Sequence, residues 1–206
     1  MLAIALSIPK GTGVLIINGS HNSFLDEFFK AITQLGNGLI LLPLLLACLF
    51  IQFRMAAIVV AAGALHGLIS VTLKRIIFPG LPRPKMFLDN DLLHFAPGVT
   101  VHTQNSFPSG HTATAFVLFF LIGHFFGKRM EGVAAMVIMA ILVGISRVYL
   151  AQHFLIDVAC GALLGTLSAW ICAVWLMERK SLPAWMFMRI QLKLPSGTSA
   201  APANNA

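Results

Sequence analysis

Polar residues that could perform chemistry cluster between two long apolar runs, in the stretch from Ser146 to Asp157. His153 and Asp157 are four residues apart, so if helix resumes by His153 they lie on one face of it. A carboxylate in that position fixes one imidazole nitrogen and leaves the other free to act as a base or a nucleophile. The same spacing also suits a buried pair, and Arg147 beside it has no assigned role on this pattern alone.

A second polar cluster, Pro108-Ser109-Gly110-His111, lies where a long loop becomes an apolar helix. Proline and serine suit the first positions of a helix, and Gly110 would let a ligand approach the backbone closely. The free N–H groups of a helix N-terminus bind anions, and such a site at a membrane surface suits a phosphate. An ordinary helix cap would use the same residues, but His111 beside the cap favours the phosphate site.

A third cluster follows another apolar run, which Lys74 and Arg75 close. Cationic side chains at such a position commonly reach to lipid headgroups. Arg83 differs, because Pro82 and Pro84 restrict the backbone on both sides of it. Its guanidinium is therefore presented from a stiff loop, as a bidentate phosphate contact requires.

The composition is that of an integral membrane protein. The 206 residues are 58% hydrophobic and 10% charged, with a mean hydropathy of +0.87, whereas soluble domains contain about 25% charged residues. The 14 Lys and Arg stand in ones and twos at the ends of apolar runs. The net charge of +7 therefore indicates anionic lipid headgroups as partners, and no nucleic acid. We expect the three cysteines, which lie inside apolar runs, to be small buried side chains rather than metal ligands.

Hydropathy predicts five membrane spans and hence an all-α, polytopic transmembrane helix bundle. The spans, named A to E, cover about residues 39–53, 55–73, 112–127, 133–145 and 155–177. We expect residues 1–36 to be an N-terminal extramembrane segment with a helix from Ser23 to Leu35, and residues 37–180 to form the membrane domain. Residues 181–206 are predicted to be a cytoplasmic tail with a disordered end. The apolar start over residues 1–8 has no charged region before it, so no signal peptide is predicted.

The orientation follows from the short connections between spans. Three cationic points fall on one side of the membrane: Arg54, Lys128-Arg129 and Arg179-Lys180. The positive-inside rule makes that side cytoplasmic. The 14 Lys and Arg divide equally between the two sides, but Lys74, Arg83 and Arg147 suit ligand binding and would be kept whatever the topology. All three polar clusters are thus expected on the outer face, which in a bacterial inner (plasma) membrane is the periplasmic or external face.

Together the three clusters resemble the type-2 phosphatidic acid phosphatase family, which is related to the bacterial acid phosphatases and the vanadium haloperoxidases. The family pattern is Lys-x6-Arg-Pro, then Pro-Ser-Gly-His, then Ser-Arg-x5-His-x3-Asp. Residues 108–111 match the second motif without departure, and residues 146–157 match the third. In the first motif eight residues separate Lys74 from Arg83 instead of six, which leaves Arg75 as an alternative to Lys74.

The resemblance covers about residues 39–175, and the family usually has six spans. The one missing here would be the first, because residues 11–36 resemble the connection that follows it. A truncated gene model and a shortened variant both remain open.

The resemblance implies a metal-independent lipid phosphatase that needs no cofactor. His153 would attack phosphorus to form a phosphohistidine, Asp157 would orient it, and His111 would protonate the leaving oxygen and later activate water. Phosphate-binding roles fall to Lys74, Arg83, Ser109, Gly110 and Arg147. The substrate would be a lipid carrying a phosphomonoester or a pyrophosphate. The family's substrates include phosphatidic acid, phosphatidylglycerol phosphate, undecaprenyl pyrophosphate and lipid A phosphates, and the sequence does not choose among them or give the oligomeric state.

Two other functions fit these residues less well. A vanadium-dependent haloperoxidase-like enzyme is disfavoured by the spans, because those relatives are soluble. A non-catalytic lipid-binding or transport protein is disfavoured because such a relic should have lost His153, His111 or Asp157. His94, His102 and His111 lack the clustered spacing of zinc ligands, and His66 with Ser70 suits helix packing better than a proton relay.

Overall fold

Residues 7–179 and 182–191 are described by the structure, a computed structural model. Within these ranges the chain is helical and contains no β-strand, which confirms the predicted all-α class. The α-helices are α1 Thr12–Gly19, α2 Ser23–Thr33, α3 Leu41–Ile51, α4 Phe53–Thr72, α5 Pro84–Phe87, α6 Gly110–Phe126, α7 Met130–Tyr149 and α8 Leu155–Glu178. Turns of 3₁₀-helix cover Gln34–Gly36, Gly38–Ile40, Asn90–Leu92 and Ala184–Phe187, and a π-helical turn covers Leu73–Ile77.

Three helical stretches are long and apolar enough to cross a membrane: α4 with its π-turn (Phe53–Ile77), α7 and α8. They correspond to the predicted spans B, D and E. Span C corresponds to α6, which is apolar but has only 17 residues. At a rise of 1.5 Å per residue, α6 is about 25 Å long, somewhat short of a hydrocarbon core of about 30 Å.

Span A is built differently from the straight helix that hydropathy predicts. Its helix α3 has 11 residues and is too short to cross alone. Instead Ser23–Gly36 and Gly38–Ile51 pass the length and hydropathy test as one pair, bent by 64°. The predicted helix from Ser23 is confirmed, but it leads through this bend into span A rather than standing apart from it. The described residues thus hold three candidate spans, or four with the bent pair.

Local chemistry explains where α2 begins and where the bend falls. The Asn22 side chain caps α2 by accepting the Leu25 N–H at 2.9 Å, as N-cap residues do. At the bend, the Asn37 side chain accepts the Leu39 N–H at 3.1 Å and starts the next helical turn. Gly36 packs so closely on α6 that an added Cβ would lie 2.7 Å from the His111 carbonyl oxygen. The bend therefore brings the end of α2 against the start of α6.

Residues 182–191, which follow α8, form two backbone hydrogen bonds with the region between α3 and α4. The Phe53 N–H donates to the Met188 carbonyl at 2.9 Å, and the Ile190 N–H donates to the Leu49 carbonyl at 3.0 Å. Residues 182–191 thus pack on the α3–α4 junction. The predicted disordered end, over residues 195–206, lies outside the described residues, as do residues 1–6 and Lys180.

Helices α6 and α8 make the closest packing in the bundle. Gly161 and Gly165 lie one turn apart on α8, and added Cβ atoms there would collide with the carbonyl oxygens of Ser109 and Ala113. Small residues four apart let two membrane helices approach until their backbones touch. The Ser109 N–H donates to the Asp157 carbonyl at 2.9 Å, so the starts of α6 and α8 are joined directly.

We expect Gly165→Ala to destabilise the protein by about 1–3 kcal/mol, because the new methyl group meets backbone that cannot move aside. Gly67→Ala is the matched control: it lies inside α4 with no atom within 4 Å of the added Cβ, so it should be neutral or stabilising by about 0.5–1 kcal/mol. Thermal unfolding in detergent, followed by size-exclusion chromatography, measures both. Equal transition temperatures for the two variants would contradict the close α6–α8 contact.

Candidate active site

The link between α7 and α8 is a tight turn rather than a continuing helix. The Arg147 carbonyl accepts the N–H groups of Gln152 and His153 at 3.0 and 3.1 Å. Ala151 has a positive φ of 52° within the turn. The condition that helix resumes by His153 is therefore not met, since α8 begins at Leu155, as predicted for span E.

His153 and Asp157 nevertheless face each other, for a different reason. Asp157 lies in the first turn of α8, and its Oδ2 turns back to accept the Phe154 N–H at 3.0 Å. The Ser106 hydroxyl donates to the same oxygen. Held in this way, Oδ2 lies 3.5 Å from Nδ1 of His153, which is longer than an ordinary hydrogen bond. Asp157 therefore acts on the ring by its charge, and Nε2 is the nitrogen that faces away from it.

His153 is neutral at physiological pH. Its side chain is 2% exposed, and burial lowers its pKa to about 3, with the charges of Arg83 and Arg147 acting in the same direction. Asp157 raises the pKa, but by less than burial lowers it. The pKa falls because a charged imidazole loses its hydration in such a place. Above about pH 3 the ring therefore keeps a free lone pair.

Two buried guanidinium groups flank this imidazole. Arg147, 7% exposed, donates from Nη1 to the Thr33 hydroxyl at 2.8 Å, and its Nε is buried without a hydrogen-bond partner among the described residues. Arg83 donates from Nε to the Gln104 carbonyl at 2.8 Å and from Nη1 to the carbonyl and side-chain oxygens of Gln152 at 3.1 Å. Within residues 7–179 and 182–191, neither forms a salt bridge. Buried cations with no carboxylate partner favour an anionic ligand.

Lys74, and not Arg75, is the third cationic side chain beside Arg83 and Arg147. Lys74 is half-buried in the π-helical turn, and its Nζ lies 4.0 Å from where a Cβ of Gly110 would stand, whereas Arg75 is exposed. The turn is closed by the Phe78 N–H, which donates to the Leu73 carbonyl at 2.8 Å. The loop after this turn accommodates the longer separation between Lys74 and Arg83, which is eight residues here and six in the family pattern. We call Lys74, Arg83 and Arg147 the cationic cluster.

The start of α6 faces this cluster with its free N–H groups. Ser109 is the N-cap, and its Oγ accepts the N–H and the hydroxyl of Thr112 at 3.4 and 2.8 Å. The Ser109 hydroxyl is thus a helix cap that keeps its own hydrogen to donate. Gly110 and His111 begin the helix, and His111 lines a cavity with Arg147. The structure therefore brings together all the predicted site residues: His153, His111, Asp157, Lys74, Arg83, Ser109, Gly110 and Arg147.

Several residues that position this site were missed in the sequence. Gln152 orients Arg83, Ser106 holds Asp157, and Thr33 holds Arg147. Gln152 and Ser106 each lie close to a recognised motif in the chain, so their position was a usable signal. Thr33 comes from α2, where nothing in the local sequence points to a site.

The other polar candidates lie apart from the cluster. His94 binds Asp26, with Nε2 2.9 Å from Oδ2, and its ring stacks on His21 at 4.0 Å. In the part of the chain that is described, no three His, Cys, Asp or Glu stand close enough to hold a metal ion. His66 and Ser70 are buried in α4, each with a polar atom that lacks a partner among the described residues. Their packing role stays a prediction.

Known proteins are similar to this chain in sequence and in fold. The family model of the PAP2 superfamily matches residues 54–181, more than half of the chain. Phosphatidylglycerophosphatase B of Bacillus subtilis is 33% identical over 166 residues, covering 70% of this chain and 71% of that protein. Lipid A 1-phosphatase of Rhizobium johnstonii is 32% identical over 108 residues, which is 52% of this chain and 42% of that protein.

A shorter match is to bacitracin transport permease protein BcrC of Bacillus licheniformis, 48% identical over 66 residues. It covers 32% of this chain and only 31% of that protein. Among solved structures, LpxE of Aquifex aeolicus has a TM-score of 0.68 at 30% identity, covering 77% of this chain and 91% of that one. A transmembrane PAP2-type phosphatidylglycerolphosphate phosphatase from Bacillus subtilis has a TM-score of 0.65 at 27% identity, covering 84% and 87%. These likenesses confirm a transmembrane helix bundle.

We expect Lys74→Ala to weaken the binding of orthovanadate, a phosphate mimic, by at least about tenfold. A lost charge-assisted hydrogen bond costs about 1.5–3 kcal/mol. Arg75→Ala removes the neighbouring charge from an exposed position and should change the affinity by less than about twofold. Isothermal titration in detergent compares the two variants. A larger loss for Arg75→Ala would assign the first-motif role to Arg75 instead.

Proposed function

Because this chain belongs to the PAP2 superfamily, we propose that it is a membrane-embedded lipid phosphatase that hydrolyses a phosphomonoester or diphosphate through a phosphohistidine intermediate. The observation that carries the proposal is the buried, neutral imidazole of His153, set between the charge of Asp157 and two guanidinium groups without carboxylate partners in the described residues. The relatives named as lipid phosphatases support the same reaction class. The enzyme is a hydrolase that uses no metal in this proposal.

Binding of the phosphoryl group falls to the cationic cluster and the start of α6. Arg147 offers its Nε, which has no partner in the described part of the chain, and Arg83 is held in place by Gln104 and Gln152. Lys74 lies beside Gly110, so its ammonium group and the N–H groups of the helix N-terminus bind the same phosphoryl oxygens. Charge that builds on these oxygens in the transition state is thereby stabilised by groups that need not move.

In the first step, Nε2 of His153 attacks phosphorus while the bond to the leaving oxygen breaks. His111 must enter this step protonated, a state that the negative charge of the bound phosphoryl group favours, and it donates that proton to the leaving oxygen, so the lipid leaves as a neutral alcohol or as a lipid phosphate. The imidazole of His153 becomes positively charged, and Asp157 stabilises that charge from the side of Nδ1. In the second step, His111 takes a proton from water, which attacks phosphorus and releases inorganic phosphate and neutral His153.

The substrate is a lipid in this proposal because the site lies at the end of an apolar bundle. Helices α4 and α8, which lead to the site, carry exposed apolar side chains, among them Val71 and Leu163, which are 52% and 51% exposed. Such surfaces contact bilayer lipid when the bundle is in a membrane. A phosphate carried by a tailed molecule therefore meets the cluster without leaving the bilayer.

We propose further that the site faces the periplasm or the exterior across a bacterial inner (plasma) membrane. Cationic residues gather at the opposite end of the bundle, where Arg54 donates from Nε to the Leu176 carbonyl at 2.8 Å and Arg179 stacks on Trp175 at 4.0 Å. Lys and Arg beside span ends favour the cytoplasmic side.

His153→Gln should lower phosphate release by at least about 1,000-fold, because the variant has no nitrogen lone pair to attack phosphorus. The assay uses purified protein in detergent with phosphatidic acid, phosphatidylglycerol phosphate, a prenyl diphosphate and lipid A. Rapid acid-free quenching of the wild type with a ³²P-labelled substrate should trap base-stable, acid-labile label on the protein, and the variant should carry none. His124→Gln, near the far end of α6, is the matched control and should keep its activity within about twofold.

Three outcomes would count against this function. Near-wild-type activity of His153→Gln would remove the nucleophile, and loss of activity with EDTA would remove the metal-free mechanism. A wild type that binds these lipids and releases no phosphate would favour lipid transport, the function to which the name of the bacitracin permease points for that protein.

The orientation is tested by single cysteines in a background without the native three. Asp91→Cys lies in the exposed loop before α6, and Gly132→Cys lies at the start of α7, where nothing crowds an added side chain. A membrane-impermeant maleimide added to intact spheroplasts should label the first and not the second. The reverse labelling pattern would place the site in the cytoplasm.

A further inference from the structure

A buried carboxylate that the proposed reaction does not use lies in α2. Asp26 is 6% exposed, and both of its oxygens are engaged. The Tyr149 hydroxyl donates to Oδ1 at 2.6 Å, and Nε2 of His94 lies 2.9 Å from Oδ2. Because a carboxylate only accepts hydrogen bonds, Nε2 is the nitrogen of His94 that carries the hydrogen in this contact. We name Asp26, His94 and Tyr149 the Asp26 cluster.

The Asp26 cluster joins three separate parts of the chain. Asp26 belongs to α2, Tyr149 is the last residue of α7, and His94 lies in the loop before α6. Asn18 of α1 is fully buried and reinforces the junction. Its amide donates to the carbonyls of His94 and Tyr149 at 2.8 and 2.7 Å, and its side-chain oxygen accepts the His94 N–H at 2.8 Å. Directional bonds therefore fix α2, α7 and this loop relative to one another.

Each of the three parts also supports an arginine of the cationic cluster. Thr33 of α2 accepts a hydrogen bond from Nη1 of Arg147 at 2.8 Å, and Arg147 itself belongs to the last turn of α7. In the loop, the Gln104 carbonyl accepts a hydrogen bond from Nε of Arg83 at 2.8 Å. The Asp26 cluster thus joins the segments that hold the two guanidinium groups.

Asp26 and Thr33 share the face of α2 that meets the end of α7. They are seven residues apart, which is about two turns and leaves them within about 20° of each other around the helix axis. Apolar packing is non-directional, so on its own it would hold α2 against α7 without fixing how far α2 has turned or slid. The bonds to Asp26 fix both, and Thr33 then meets Arg147 two turns away.

We propose that Asp26 is a positioning residue for the phosphoryl group. It acts through Tyr149 and His94 to hold α2 in the register at which Thr33 supports Arg147, and it touches neither the substrate nor the reacting atoms. The inference rests on the proposed function, in which Arg147 binds the phosphoryl oxygens. A negative charge by itself repels phosphate, so a favourable effect of Asp26 on phosphate binding comes from position alone.

The test measures the affinity of the purified full chain for orthovanadate, by isothermal titration in detergent. Asp26→Leu removes both acceptors and should weaken binding by about five- to tenfold, since Arg147 loses its support. Coulomb's law alone predicts the opposite sign, because the loss of a carboxylate strengthens the binding of an anion. Asp91→Leu, the same change at an exposed site in the loop before α6, is the matched control and should alter the affinity by less than about twofold.

A double-mutant cycle identifies the route by which Asp26 acts. Thr33→Val removes the hydroxyl with little change in shape and should weaken vanadate binding by a similar factor. Adding Asp26→Leu to Thr33→Val should weaken it no further, because both changes break the same connection. Thr33→Ser keeps the hydroxyl and should keep the affinity within about twofold of the wild type.

Tyr149→Phe keeps the test available should Asp26→Leu fail to fold. It removes one donor from the Asp26 cluster and leaves His94 in place. We expect a loss of vanadate affinity of about threefold, and none beyond that of Thr33→Val when the two changes are combined.

The outcomes separate the positioning role from the proposed function. Unchanged or tighter vanadate binding by Asp26→Leu, or by Tyr149→Phe in its place, overturns the positioning role. Losses that multiply in the double variant also overturn it, because Asp26 then acts by another route. Either result leaves the phosphatase function standing when the wild type releases phosphate from the lipid panel. A wild type that neither binds vanadate nor releases phosphate overturns the function and the positioning role together.

Discussion

The site depends on the unfavourable free energy of burying cationic side chains at the end of an apolar helix bundle. Lys74, Arg83 and Arg147 converge there, and the one nearby carboxylate in the described residues, Asp157, is already engaged with Ser106, Phe154 and His153. Taking cations from water is unfavourable unless an opposite charge compensates for it. In the proposed function the ligand supplies that compensation, so the free energy that would stabilise a salt bridge would become available for binding phosphate. Burial also keeps His153 neutral, as the proposed nucleophile must be.

Such a cluster remains in place only on a rigid support, and the α6–α8 contact supplies it. Gly161 and Gly165 let the two backbones touch, and the bond from the Ser109 N–H to the Asp157 carbonyl joins the two motif-bearing helix starts. The third support is the bend before α3, where Gly36 packs on His111. The polar residues therefore gain their geometry from glycines that carry no chemistry themselves.

Much of this arrangement was predictable from the sequence, for physical reasons that differ between its parts. The all-α fold class and three of the spans are predicted by apolar runs long enough to cross a bilayer. The location of the cationic cluster is predicted by the polar residues at the ends of those runs. Hydropathy averages over a window, so it does not register the 64° bend in span A. The pairing of His153 with Asp157 was expected from helical spacing, but a turn and a helix cap produce it instead. Thr33 was not found because its partner is far away in the chain.

The contact between Thr33 and Arg147 also bears on where the working unit begins. The family match starts at residue 54, yet Thr33 of α2 supplies the hydroxyl that holds Arg147, a proposed phosphate ligand, and Asp26 of the same helix accepts the Tyr149 hydroxyl at 2.6 Å. A fragment cut at the family boundary would keep all three motifs and lose one support of the Arg147 guanidinium. In a chimaera between relatives, residues 22–36 should therefore come from the same protein as Arg147 and Tyr149, which they contact.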